Sequence, residues 1–311
     1  MRKEATINNN VTLSRVSGYH DGDHARRLYF RSDRAMVLDY DYRRPDGQPL
    51  RGYGLEIESE CFDFSSDILA ELYDKIIFTH FPADLFKMER DGSLSGGHNA
   101  ECITQIMTKA FIRNHYKDFK TMYDTYFPAF NISCSRTGNC GMHVNVSNAC
   151  FGKDRETQDD AIRKLFYFIN HNFSVACKLF ARDERHTGYC SQMSCGTIES
   201  AKRYRLTGRY SDHGISYNLG HYEQGRVEIR LVGGQSGYYC FRNTMETVFW
   251  LVEHIHTVPW EKLDDMRYVF RGCNQYVIKR LTDCGLSYDV LNDIIAHKKE
   301  EDLELHTNAR D

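Results

Sequence analysis

The chain has 311 residues, 41% hydrophobic and 13% aromatic with 20 Tyr and 18 Phe, a composition that excludes a disordered chain and provides for a sizeable core. Its 40 Lys and Arg nearly balance 43 Asp and Glu, so bulk charge does not point to nucleic acid. No apolar run approaches the ~20 residues of a membrane-spanning helix, and MRKEATINNN lacks a secretory apolar core; the expectation is a soluble, cytoplasmic protein with no membrane partner.

In chain order, residues 1–50 read as a β-rich lead-in, in which MVLDYDY (36–42) alternates and RRPDGQP (43–49) is a turn. YGLEIESE (53–60) reads as a strand with Leu55 and Ile57 on one side and Glu56 and Glu58 on the other. Taken alone, it fits a half-buried strand whose polar side meets water. From Ala100 to about Phe127 the spacing of Ile103, Ile106, Met107, Ala110 and Phe111 predicts a helix, and Ile162 to Phe180 keep one apolar face for a second. AFNIS (129–133), GMHVNVS (141–147) and RVEIRLV (226–232) are strand-like, while 241–256 and the tail from Trp260 read as helical. This order predicts a single α+β domain, with helices on one side of an antiparallel sheet. The 11 cysteines are an odd number, contain no C-x-x-C pair and read as reduced thiols.

Three of these strands share a polar side of unusual composition. Glu56 and Glu58 are joined by His143, Asn145 and Ser147 and by Arg226, Glu228 and Arg230, with no lysine among them. Carboxylates at i and i+2 lie about 7 Å apart, and in a water-poor cleft they rise in pKa or take up a cation. Carboxylates with one imidazole suit a hard divalent ion, Mg²⁺ or Mn²⁺, and the arginines beside them suit phosphate. The turn MERDGSLSGGHNAEC (88–102) adds Asp91 and Glu101, though as a surface loop it would need no ligand, with Glu101 favourable at a helix N-terminus.

The order G-x-E-x-E, D-G-S with a downstream Glu, G-x-H-x-x-x-S and R-x-E-x-R resembles the carboxylate–amine ligases of the glutamine synthetase and glutamate–cysteine ligase superfamily. DGSL, CGMHVNVS and VEIR resemble its amidoligase branch, found in bacteria and phages, over residues 53–235. The resemblance implies an antiparallel β-sheet funnel of the glutamine synthetase catalytic-domain type with helices on its outer face. It implies a nucleotide-binding ligase that uses ATP and Mg²⁺ or Mn²⁺ to join a carboxylate substrate to an amine substrate, either of which could be an amino acid, peptide or protein. Glu56, His143 and Glu228 would hold one metal ion, and Glu58, Glu101 and Asp91 another. Arg230 would contact the γ-phosphate, with Arg226 and Ser147 supporting the nucleotide. Arg182, Arg203 and Arg209 stand where the family often places phosphate or substrate contacts. Two departures are present: Asn145 replaces an imidazole common in the family, and ECITQ lacks a proline. Two other readings remain at this level. One is an ATP:guanidine phosphotransferase on the same scaffold, against which stands the lack of a recognisable reactive-cysteine loop. The other is a non-catalytic nucleotide- or nucleic-acid-binding protein, with tyrosines and arginines of 203–222 as base-stacking groups.

Overall fold

The computed structural model describes residues 51–61, 80–81, 85–89, 94, 99–135, 138–207 and 214–296. The β-rich lead-in expected at 1–50, Asp91 and its glycine turn, and Arg209 lie outside the described residues. Alternating side chains set the strands: β1 (Tyr53–Cys61), β2 (Phe86–Glu89), β3 (Asn99–Thr104), β4 (Ile132–Ser133), β5 (Met142–Ser147), β6 (Tyr217–Asn218) and β7 (Arg226–Ile229). Six of them run β2–β3–β1–β5–β7–β6 in one open sheet, every neighbour antiparallel, and the short β4 pairs with the end of β1.

The helical expectation for Ala100–Phe127 is corrected at its start. Asn99–Thr104 is a strand between β1 and β2, and the helix that follows it, α1, spans Lys109–Asn114 with Thr108 accepting a cap hydrogen bond from the Phe111 amide. Six residues of period two outweigh the looser helical spacing because they supply backbone partners to two strands. Ala100 and Cys102 turn to the core, and Glu101 turns the other way, directly across from Glu58. Further helices among the described residues include α2 (Tyr116–Thr121), α3 (Phe127–Ala129), α4 (Arg155–His171), α5 (Phe173–Leu179), α6 (Ile198–Lys202), α7 (Tyr238–His254), α8 (Met266–Val269) and α9 (Gln275–Asp283). A π turn, Met122–Tyr126, joins α2 to α3. The long apolar face expected at 162–180 is divided between α4 and α5 at Asn172.

Leu55, Ile57, Val144, Val146, Val227 and Ile229 form one apolar side of the sheet and share a single core with Phe166, Phe168, Phe241, Met245 and Phe249 of the long helices. Tyr53 meets the Phe249 ring edge-on at 4.7 Å, and Phe241 packs on Phe119 at 4.6 Å. Each buried side chain of this size contributes about 1.5–3 kcal/mol relative to exposure, so the helices hold this side firmly. The opposite side of the sheet is left to carry chemistry. All 11 cysteines are free thiols, and no helix among the described residues is long and apolar enough to cross a membrane.

Candidate active site

Strand register brings the polar side chains together. Glu56 lies across from His143, Glu58 from Glu101, Asn145 from Glu228 and Ser147 from Arg226. A water-facing strand would leave such groups exposed, yet Glu58 is 6%, Glu101 7%, His143 7% and Glu228 4% exposed. The alternative of a solvated polar face therefore does not describe these strands. Charges held this far from water must be paired or compensated.

The pairing runs outward from Glu56. One of its oxygens accepts a 2.8 Å hydrogen bond from Asn145 Nδ2, and the other lies 3.0 Å from His143 Nδ1. The imidazole also stands 3.4 Å from Glu58 through Nε2 and 3.5 Å from Glu228 through Nδ1. Glu228 accepts from Arg230 Nη1 at 2.7 Å and from Asn218 Nδ2 at 2.9 Å. Arg226 donates to Asn145 Oδ1, and the Gly141 amide donates to Glu58 Oε2. Asn145, where the family resemblance leads one to look for a second imidazole, thus links a carboxylate to a guanidinium.

These contacts decide the charge states. Burial pushes the Glu56 carboxyl up, but the hydrogen bond and charge of His143, with Arg226 and Arg230, outweigh it and hold Glu56 well below the usual carboxylate range. Burial and Arg230 pull the His143 imidazole down, while the Glu56 hydrogen bond and the charges of Glu58 and Glu228 carry it above its ordinary value. Around His143, four carboxylates (Glu56, Glu58, Glu101, Glu228) face two guanidinium groups (Arg226, Arg230). With the imidazole drawn toward its charged form and Arg182 beside Glu58, the buried carboxylates are compensated by protein cations rather than by water.

One ligand atom each from Glu56, Glu101 and His143 lies within 4.8 Å of the other two, a grouping that could hold a metal ion. Two oxygens and an imidazole nitrogen suit Mg²⁺ or Mn²⁺. This set takes Glu101 from β3 alongside Glu56 and His143, while Glu228 leans on Arg230 and Asn218.

The other expected residues are distributed as follows. Arg226, Arg230 and Ser147 belong to the same polar side. Half-buried Arg182 donates to the carbonyls of Val232 (2.7 Å), Cys140 (3.4 Å) and Leu231 (3.4 Å). Arg203 is exposed at the end of α6 beside Glu199, with no contact among the described residues that joins it to the acidic side. Sequence reasoning missed Asn218 and the Gly141 amide, whose roles depend on strand register. It also passed over Glu60, third on the same side of β1 and 4% exposed, though its i+4 spacing from Glu56 was readable. Compared with known proteins, the chain matches no protein-family model and no curated protein.

Proposed function

We propose that this chain is an ATP-dependent carboxylate–amine ligase of the glutamine synthetase and glutamate–cysteine ligase type, nearest the amidoligases. The observation that carries the reading is the convergence of Glu56, Glu58, Glu101, His143 and Glu228 with Arg226 and Arg230 on one side of an antiparallel sheet, all buried but the half-buried Glu56 and Arg230. The polar side would form the wall of the funnel that this superfamily uses. The donor set fits a hard divalent ion, and Arg230 Nε is buried without a hydrogen-bond partner, as a group awaiting an anion would be.

Glu56, Glu101 and His143 would hold Mg²⁺ or Mn²⁺, which when bound supplies charge neutralisation and Lewis acidity to the triphosphate. Arg230, fixed by Glu228, supplies permanent positive charge for the transferred phosphoryl group. Arg226, tied through Asn145 to Glu56, supports the nucleotide from the neighbouring strand position. A substrate carboxylate attacks the γ-phosphate, ADP leaves, and an amine displaces phosphate from the acyl-phosphate to give the amide. Burial of the face protects that intermediate from water.

The test is ADP release from ATP with Mg²⁺ and a pool of carboxylates, with hydroxylamine present to trap an activated acyl group as its hydroxamate. ADP and hydroxamate should form together, and Glu56→Gln or Glu228→Gln should abolish both. ADP without hydroxamate would move the assignment to a phosphotransferase, and full activity in both variants would remove it.

A further inference from the structure

Arg182 is held with unusual care for a residue outside the strands. Ala181 before it adopts φ 57°, the left-handed region that a side-chain-bearing residue rarely enters. A Cβ on Gly233 would overlap the Ala181 carbonyl oxygen and stand 2.9 Å from Arg182 Cα, so only a bare backbone lets this turn press against the end of β7. A Cβ on Gly141 would stand 2.6 Å from Arg182 Nη2 and 3.3 Å from Glu58 Oε2. Two glycines and one strained residue thus bring a guanidinium beside the carboxylate end of the site.

The guanidinium then spends its donors on backbone. It bonds to Cys140, just before β5, and to Leu231 and Val232, just after β7, and so fastens two strand ends to each other. Between the Cys140 carbonyl and β5 lies Gly141, whose amide donates to Glu58 Oε2. That bond occupies one oxygen of Glu58 and leaves Oε1 directed toward His143 Nε2, 3.4 Å away.

We propose that Arg182 is a positioning residue for Glu58, acting through the Cys140–Gly141 peptide to hold that carboxylate against His143, the imidazole of the Glu56, Glu101 and His143 group that would take a divalent ion. It rests on the metal-binding part of the ligase reading. Outer partners that orient a metal ligand are commonly worth 10–100-fold in affinity; Glu58 is such a partner to His143, and the Arg182 splint across two strand ends holds it there.

The experiment is calorimetric titration of the full chain with Mn²⁺ alone, without ATP or acid. Arg182→Gln should weaken Mn²⁺ binding about tenfold or more. In a Glu58→Gln background the same substitution should add little, because the residue it acts through is already gone. Equal loss in both backgrounds would make Arg182 a general structural prop and overturn the proposal, as would unchanged affinity in Arg182→Gln. Should Arg182→Gln not fold, Arg182→Lys keeps the charge but cannot span three carbonyls, and it should show the same dependence on Glu58. Mn²⁺ binding without any ligase activity would sink the ligase reading while leaving this inference standing; no Mn²⁺ binding by the wild type would sink both.

Discussion

Glu246 of α7 is a buried carboxylate outside the site whose replacement should be costly. Its carboxylate is 1% exposed and accepts hydrogen bonds from Arg113 Nε (2.8 Å) and Nη2 (2.6 Å), Tyr116 OH (2.8 Å) and Asn274 Nδ2 (3.0 Å). Those donors belong to α1, to α2 and to the N-cap of α9, so one carboxylate ties four helices. Glu246→Gln keeps the shape but removes the charge and turns one acceptor into a donor facing donors. Arg113 is 42% exposed at its side chain and can rehydrate, so little is assigned to it. Tyr116 and Asn274 lose a charged acceptor at about 1–3 kcal/mol each, giving about 2–6 kcal/mol in all. For a domain of this size, that corresponds to a fall in Tm of about 3–9 °C. Urea unfolding followed by far-UV circular dichroism measures it. A loss below about 1 kcal/mol at unchanged m-value would refute the claim that these bonds act as a buried unit.

The same residue gives a pH test. Burial pushes the Glu246 carboxyl up, but the hydrogen bonds from Arg113 and Tyr116, the Arg113 charge and the Asn274 bond hold it below the usual range. A folded-state value below the unfolded one means the contribution is complete above about pH 4.5 and is lost as pH falls through the folded value. The stability gap between wild type and Glu246→Gln should therefore narrow on acidification below pH 4.5, and a gap that widens there would reverse the sign.

Three further outcomes are expected. Mn²⁺ at a hundred times its Kd should stabilise the chain by about 2.7 kcal/mol, read as a rise in Tm, and Glu56→Gln should remove the rise. Glu101→Gln should lose that response yet stabilise the metal-free chain by up to about 1 kcal/mol, since Glu58 and Glu101 are like charges directly opposed across two strands; a less stable metal-free variant would contradict this. Gly234→Ala should destabilise by about 1–3 kcal/mol or prevent soluble expression, because a Cβ there would overlap the Cys134 carbonyl oxygen and stand 3.0 Å from that of Cys140; wild-type chemical stability would show that this segment yields.

The site was readable where chemistry and period coincide. Glu56, Glu58, His143, Glu228 and Arg230 alternate with apolar neighbours, and alternation alone is enough to put them on the side away from the helices. Glu101 was assigned to a helix start because Ile103, Ile106, Met107 and Ala110 also satisfy a 3.6-residue repeat, and six residues are too few to separate the two periods. What settles the matter is that β1 has a free edge for Asn99–Thr104 to pair with, a condition set 40 residues earlier in the chain. For Arg182 the resemblance implied a phosphate or substrate contact, whereas its bonds to three backbone carbonyls had no sign in the sequence. Its placement depends on a left-handed alanine and on Gly141 and Gly233, both distant in sequence. Asn145 and Asn218 are legible only once β5, β7 and β6 are in register, since each matters through a neighbour on another strand.

The central position of β1 has a consequence for how the chain finds its structure. A slip of one residue against β3 or β5 would turn Glu56, Glu58 and Glu60 into the hydrocarbon between sheet and helices, and would turn Leu55 and Ile57 out among the carboxylates. Three carboxylates forced into that interior would cost far more than any strand pairing could return. The acidic row therefore acts during folding as a ratchet that rejects misaligned sheets, so variants that neutralise it should be slower or less uniform in reaching the native state even where the final fold is unchanged.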